Sequence, residues 1–128
     1  MSKSETTGMR VLVTGGRRYP DREAVFSALD RLHAKCGISV VAHGATPTQT
    51  GADWHADAWA KTRGVPVVPY PVLHDVDGPW PAAGPKRNAR MFADFHPDGV
   101  VAFPGDRGTE NMKAIAAAGS VKVWEPVK

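Results

Sequence analysis

One cysteine, Cys36, stands in a chain of 128 residues, so an internal disulfide framework is excluded and a reducing compartment suits the composition. No apolar run approaches the roughly 20 residues that a bilayer span needs, and no signal-peptide pattern is visible at the amino end. The expected location is therefore the cytoplasm, with no membrane partner. Lysine-rich runs and basic helices are lacking too. The formal net charge is only +3, and nucleic acid is not an expected partner. His33, His55, His74 and His96 are scattered without metal-ligand spacing, so no metal is expected. The dinucleotide fingerprint G-x-G-x-x-G is also missing. No third glycine follows Gly15-Gly16 at the right spacing and no acidic residue clearly ends the second strand, which argues against a standard NAD site. No cofactor is expected.

What remains is an ordinary soluble composition, 42% apolar and 23% charged, in a chain long enough for one core. The expectation is a polar, disordered tail over residues 1–8 and a single domain over 9–128. Strand and helix patterns alternate along it. Arg10 to Thr14 reads as a buried strand. Asp21 caps a helix with the stripe Val25, Leu29, Leu32 and Cys36, which Gly37 stops. Ile38 to Ala42 is the second strand. Thr50-Gly51-Ala52-Asp53 resembles a capping box that opens a helix through Arg63, closed by Gly64. Val65 to Tyr70 is a third strand, with two prolines that place it near an edge. A long irregular loop, Pro71 to Ala83, precedes a helix in which Pro85 is an early residue and which runs to about Phe95. Gly99 to Phe103, Glu110 to Ala118 and Val121 to Trp124 complete the series as strand, helix and strand. This order predicts an α/β fold: a Rossmann-like, doubly wound, mostly parallel sheet of about five strands with helices on both faces. Ligands of such sheets lie outside the carboxyl ends of the strands, where the strand order reverses. The loops after strands one, two and four are the candidates, with the Pro71–Ala83 loop as a lid.

Two glycine turns lie at those ends. Ala102-Phe103-Pro104-Gly105-Asp106-Arg107-Gly108-Thr109 leads a buried strand into a helix, with Thr109 available as its cap. Helix amino termini present unpaired N–H groups to anions, and Arg107 adds a planar fork of donors. Thr14-Gly15-Gly16-Arg17 repeats the arrangement near the amino end. It is read either as a phosphate or ribose contact through backbone amides, Thr14 and Arg17, or as a tight turn with solvated arginines.

Other residues carry paired readings. Asp53 is a first-turn capping carboxylate or a partner for a ribose hydroxyl. His43, before Gly44, reads more readily as a satisfied strand-end histidine than as a base. Lys86, Arg87 and Arg90 crowd a helix start, where cations oppose the dipole, so an anion is expected nearby: a ligand phosphate, or a carboxylate such as Asp53. Arg87 and Met91 are one turn apart, so Arg87 is placed to hold a phosphate while a base packs on Met91. Lys86 and Arg90 also fit a solvated face. Trp59 is a core residue by position, whereas Trp80 is a stacking or interface residue.

Taken in order, Val11-Leu12-Val13-Thr14-Gly15-Gly16-Arg17, His43-Gly44, Gly51-Ala52-Asp53, Ala58-Trp59-Ala60, Ala83 to Met91 and Ala102 to Thr109 resemble the SLOG superfamily, in particular its YspA-like branch. The resemblance implies a Rossmann-like domain, often dimeric, that binds nucleotides or nucleotide-derived ligands. It places ligand-binding residues at Thr14, Gly15, Gly16, Arg17, His43, Gly44, Asp53, Arg87, Met91 and Pro104 to Thr109, that is Pro104, Gly105, Asp106, Arg107, Gly108 and Thr109. The superfamily's Lonely Guy (LOG) enzymes cleave nucleoside 5′-monophosphates with the paired motifs R-K-x-x-M and P-G-G-x-G-T-x-x-E. Here Asn88 replaces the Lys, Asp106 the second Gly and Met112 the catalytic Glu. Methionine can neither stabilise positive charge nor orient water. The expectation is thus a nucleotide or ADP-ribose-like binder, acting as a sensor or by sequestration and expected as a homodimer. The alternative is an N-glycosidic hydrolase in which Arg87 with Asp53 or Asp106 does the catalysis.

Overall fold

A computed structural model describes residues 8–45 and 50–127. Of the tail expected over residues 1–8, residues 1–7 lie outside the described residues, as does the connection at 46–49. Strands β1 (Met9–Thr14), β2 (Ile38–His43), β3 (Val67–Pro69), β4 (Gly99–Ala102) and β5 (Lys122–Trp124) form one sheet in the order β3-β2-β1-β4-β5. Every neighbouring pair is parallel. The prolines leave β3 only three residues long, at the sheet edge.

Helices α1 (Arg22–Cys36), α2 (Ala52–Arg63), α3 (His74–Asp77), α4 (Ala83–Phe95) and α5 (Arg107–Ala118) provide the crossovers. The two-residue alternation of the strands divides the core. Val11, Val13, Val41 and Val101 pack on one side with Val25 and Leu29 of α1 and Ala56 and Trp59 of α2. Leu12, Ala42 and Val100 pack on the other with Met91 and Phe95 of α4 and Met112 and Ala116 of α5. Burying apolar side chains on both faces is what stabilises a parallel sheet. Trp59 is wholly buried, and its indole N–H donates to Asp30 at 2.8 Å, where the Arg63 fork also lands.

Four local readings change. The helix after β4 starts at Arg107, three residues earlier than its apolar pattern suggests, because Asp106 and not Thr109 caps it, accepting from the Gly108 N–H at 3.3 Å. The cap of α2 falls on Gly51 instead of Thr50. The Pro71–Ala83 segment contains α3, with the Leu73 N–H bound to the Asp77 carboxylate at 2.8 Å. Ala83 itself opens α4.

Strand order reverses between β1 and β4, so the crevice lies at the carboxyl ends of those two strands. Backbone contact closes it: Gly16 N–H donates to the Pro104 carbonyl at 2.9 Å and Ala52 N–H to the Gly16 carbonyl at 3.1 Å. Gly51 sits at φ +98°, and a Cβ there would run into the Arg17 carbonyl. Gly51→Ala is therefore expected to cost about 3 kcal/mol in urea unfolding, combining backbone strain with a clash. Gly64→Ala, strained at φ +71° but with open space around it, should cost only about 1 kcal/mol.

Candidate functional site

Four segments meet at the carboxyl edge. The β1 turn supplies Thr14 to Arg17, and the end of β2 supplies His43 and Gly44. The start of α2 supplies Asp53. The β4–α5 turn supplies Pro104 to Thr109. Pro104 to Gly108 are exposed, and Thr109 behind them is only 3% exposed. Among the described residues its Oγ1 has no hydrogen-bond partner, a costly condition for a buried hydroxyl. The oxygen faces Gly105, where a Cβ would collide with it. Among the described residues, the amides of Arg107 and Thr109 have no acceptor either. The turn thus offers an orphan hydroxyl and unpaired amides at the positive end of a 12-residue helix.

The opposing turn is differently engaged. Gly16 N–H is committed to Pro104, and the Thr14 carbonyl accepts from Phe103 N–H at 2.9 Å. Gly15 serves close packing, since a Cβ there would lie 2.6 Å from the Ala52 Cβ. Arg17 is exposed, its guanidinium 5.5 Å from the Trp80 ring centroid.

His43 is a satisfied strand-end residue. It is 4% exposed, its Nδ1 accepts from Ala45 N–H at 2.9 Å, and its Nε2 therefore donates to Asp57 at 2.8 Å. Burial would raise the Asp57 carboxyl, but the hydrogen bonds from Lys61 and His43 outweigh it and hold the group below its ordinary value.

Arg87 donates through Nη1 to the carbonyls of Gly44 and Tyr70, the latter at 3.0 Å, and through Nε to the Asn88 side chain at 3.1 Å. Burial pulls this guanidinium below its usual range, while Asp53 and Asp77 push the other way. An arginine stays charged in either case. Its anionic surroundings are thus Asp53, which is 7% exposed, and Asp77, which is 1% exposed. Met91 does not join it at the edge. At 2% exposure it packs in the core with Tyr70 and Phe95, so it offers no surface to a base. Arg90 is not a solvated cation: its Nε and Nη2 grip Asp77 at 3.0 and 2.8 Å, and Nη2 also reaches the Pro71 carbonyl at 3.0 Å. Asp106 is exposed and engaged as the α5 cap.

Two residues missing from the sequence-based site complete the frame. Asn88, 4% exposed, donates to the Gly108 carbonyl at 3.2 Å and to Asn111 at 3.0 Å, which joins α4 to the β4–α5 turn. Its place in the Arg87–Met91 motif was the available signal. Asp77 had none beyond its charge.

A cleft of about 290 Å³ opens at this edge, lined by Arg17, Gly44, His74, Trp80 and Arg87 among others. A larger hollow of about 730 Å³ lies along the faces of β4 and β5 beside the last turns of α1, lined by Leu32, Cys36, Gly99, Val101, Lys122 and Trp124 among others. It lies against the sheet face and away from the turns that follow β1 and β4, and the cleft is the better candidate.

The fold and this edge define a Rossmann-like α/β protein with a candidate anion site at a strand-order reversal. The model of the YspA, cpYpsA-related SLOG family (YAcAr) matches residues 9–73. The chain is also 38% identical over 122 residues to the "Gene 61 protein" of Mycobacterium phage D29, spanning 89% of this chain and 93% of that protein. The chain belongs to the YspA, cpYpsA-related SLOG family. Among the described residues, no helix is long and apolar enough to cross a membrane, and no group of histidine, cysteine and carboxylate side chains is arranged to hold a metal ion.

The cleft wall depends on Asp77, whose carboxyl the Arg90 hydrogen bonds hold at about 2, against an ordinary 3.8. Because the folded value is depressed, this stabilisation is complete above pH 4 and is lost as pH falls toward 2. Asp77→Asn should cost about 2 kcal/mol at pH 7. In urea unfolding, its deficit relative to wild type should shrink steadily between pH 4 and pH 2.

Proposed function

We propose that this protein binds a nucleotide or a nucleotide-derived, ADP-ribose-like ligand, as a sensor or by sequestration, with a ligand phosphate seated at the amino terminus of α5. The observation that carries this reading is the buried, unpartnered Thr109 Oγ1 behind an exposed glycine turn and unpaired amides. A phosphate satisfies the hydroxyl and amides together, and the helix dipole favours its charge. Arg17 and Arg87 add positive charge at the same edge. Family membership supports a nucleotide-related ligand. Met112, at the position of the LOG glutamate, is wholly buried in the core, which favours binding over cleavage.

One observation supports hydrolysis as a second reading: Asp53, a buried carboxylate, has its charge coupled to that of Arg87. It takes the catalytic role more readily than Asp106, which caps α5. Release of free base from a nucleoside 5′-phosphate, abolished by Asp53→Asn, would establish this reading and displace the first.

Thr109→Val is the direct test, since it keeps shape and removes only the hydroxyl. Losing a hydrogen bond to a charged group is worth about 1.5–3 kcal/mol. Calorimetry should then show nucleoside phosphate affinity falling roughly 10- to 100-fold, with the melting temperature held or raised. Unchanged affinity for every nucleotide that wild type binds would rule out the phosphate seat. Arg87→Ala is a poorer probe, because it also severs the ties to Gly44 and Tyr70.

A further inference from the structure

Trp80 is 53% exposed and lines the cleft beside Arg17 and Arg87. An indole left in water is unfavourable, yet the segment that carries it is firmly fastened. Buried Asp77 accepts the Leu73 N–H and both Arg90 donors, and Arg90 also holds the Pro71 carbonyl. The His74 ring meets the indole edge-on, with centroids 5.6 Å apart. Trp80 therefore stands as a supported flat surface at the mouth of a charged cleft. Arg17 lies 5.5 Å from the ring centroid, whereas Arg10 lies 4.4 Å from Phe95 and Arg22 lies 4.3 Å from Phe26.

We propose that Trp80 is the base-recognition residue of this protein: the flat ring of a nucleoside monophosphate stacks on its indole, with Arg17 and Arg87 lining the same cleft. The proposal rests on the phosphate seat at α5 described above. Base stacking on an aromatic side chain is worth more than an exposed cation–π contact with the same ring. The Gly16–Pro104 hydrogen bond brings the turn carrying Arg17 against the β4–α5 turn, so one ligand can reach both. At about 290 Å³ the cleft falls at the small end of ligand sites, a size for one nucleoside unit. Stacking reads ring area and not hydrogen-bonding edges, so purines should bind more tightly than pyrimidines.

The test is calorimetry on the full chain with AMP, CMP and ribose 5-phosphate, for wild type, Trp80→Ala and Trp80→Phe. Trp80→Ala should weaken AMP roughly 10- to 100-fold and leave ribose 5-phosphate within about twofold, and Trp80→Phe should keep most of the AMP affinity. Equal losses for AMP and ribose 5-phosphate, or no loss for either, would overturn the assignment. A changed sedimentation coefficient with AMP affinity unaltered would place Trp80 in a subunit seam and overturn it too. AMP binding that Thr109→Val weakens but Trp80→Ala does not would leave the phosphate seat standing and defeat this proposal alone. If wild type binds none of the three compounds, both fall.

Discussion

Where β1 and β4 lie side by side, their outgoing turns pass within backbone contact, and the architecture of the carboxyl edge depends on that approach. Gly16 N–H reaches the Pro104 carbonyl, and the Gly16 carbonyl receives Ala52 N–H, so three chain segments are joined through one residue. Gly15 fits between Ala52 and Phe103, and Gly105 between Gly16 and Thr109, with no space for a side chain at either. The first turn of α2 and the start of α5 are thereby brought to the same crevice. The approach also decides which amides remain available. The β1 turn commits its Gly16 amide to construction, and the β4–α5 turn keeps the amides of Arg107 and Thr109. Two glycine turns that look equivalent in sequence therefore have different roles.

The three arginines at this edge are separated by burial and by the acceptors within reach. Arg90 finds a carboxylate with matching fork geometry and becomes a fastener for the 71–82 segment. Among the described residues Arg87 finds only carbonyls and an amide oxygen, so its positive charge is oriented but not neutralised there by direct contact with an acid. Arg17 remains exposed over Trp80. Arg87, held by carbonyls and an amide oxygen, lines the cleft, and Arg90, paired with Asp77, lies behind it. That distribution suits an anionic ligand better than it suits stability, since a buried guanidinium without a contacting acid is costly.

The sheet was legible in the sequence because each strand is a short apolar run bounded by glycine, proline or a cap, and strand and helix alternate throughout. The prolines marked β3 as an edge for a definite reason: the missing N–H groups cannot serve a second neighbour. The site was less legible. Helical spacing puts Arg87 and Met91 on one stripe, but side-chain length then separates them. The arginine stem carries its head out to the carbonyls of Gly44 and Tyr70, and the methionine stays against the sheet. Asp77 and Arg90 are 13 residues apart in different elements, so no periodicity links them. Asp106 and Thr109 are both good caps, and only the path of the turn decides between them.

Position 112 shows how a departure from an enzyme motif is built into a fold. Thr109, Met112 and Ala116 form the buried stripe of α5, with spacings of three and four residues. Thr109 tops that stripe at the crevice, and Met112 lies one turn deeper among Leu12, Ala42 and Phe95. A glutamate there would carry its charge into an apolar layer, where an ionised group is costly without a partner. The methionine is therefore a core residue in its own right, matched to its neighbours. Any carboxylate chemistry at this edge has to come from outside α5, and Asp53 at the start of α2 is the group whose burial and charge environment meet that requirement.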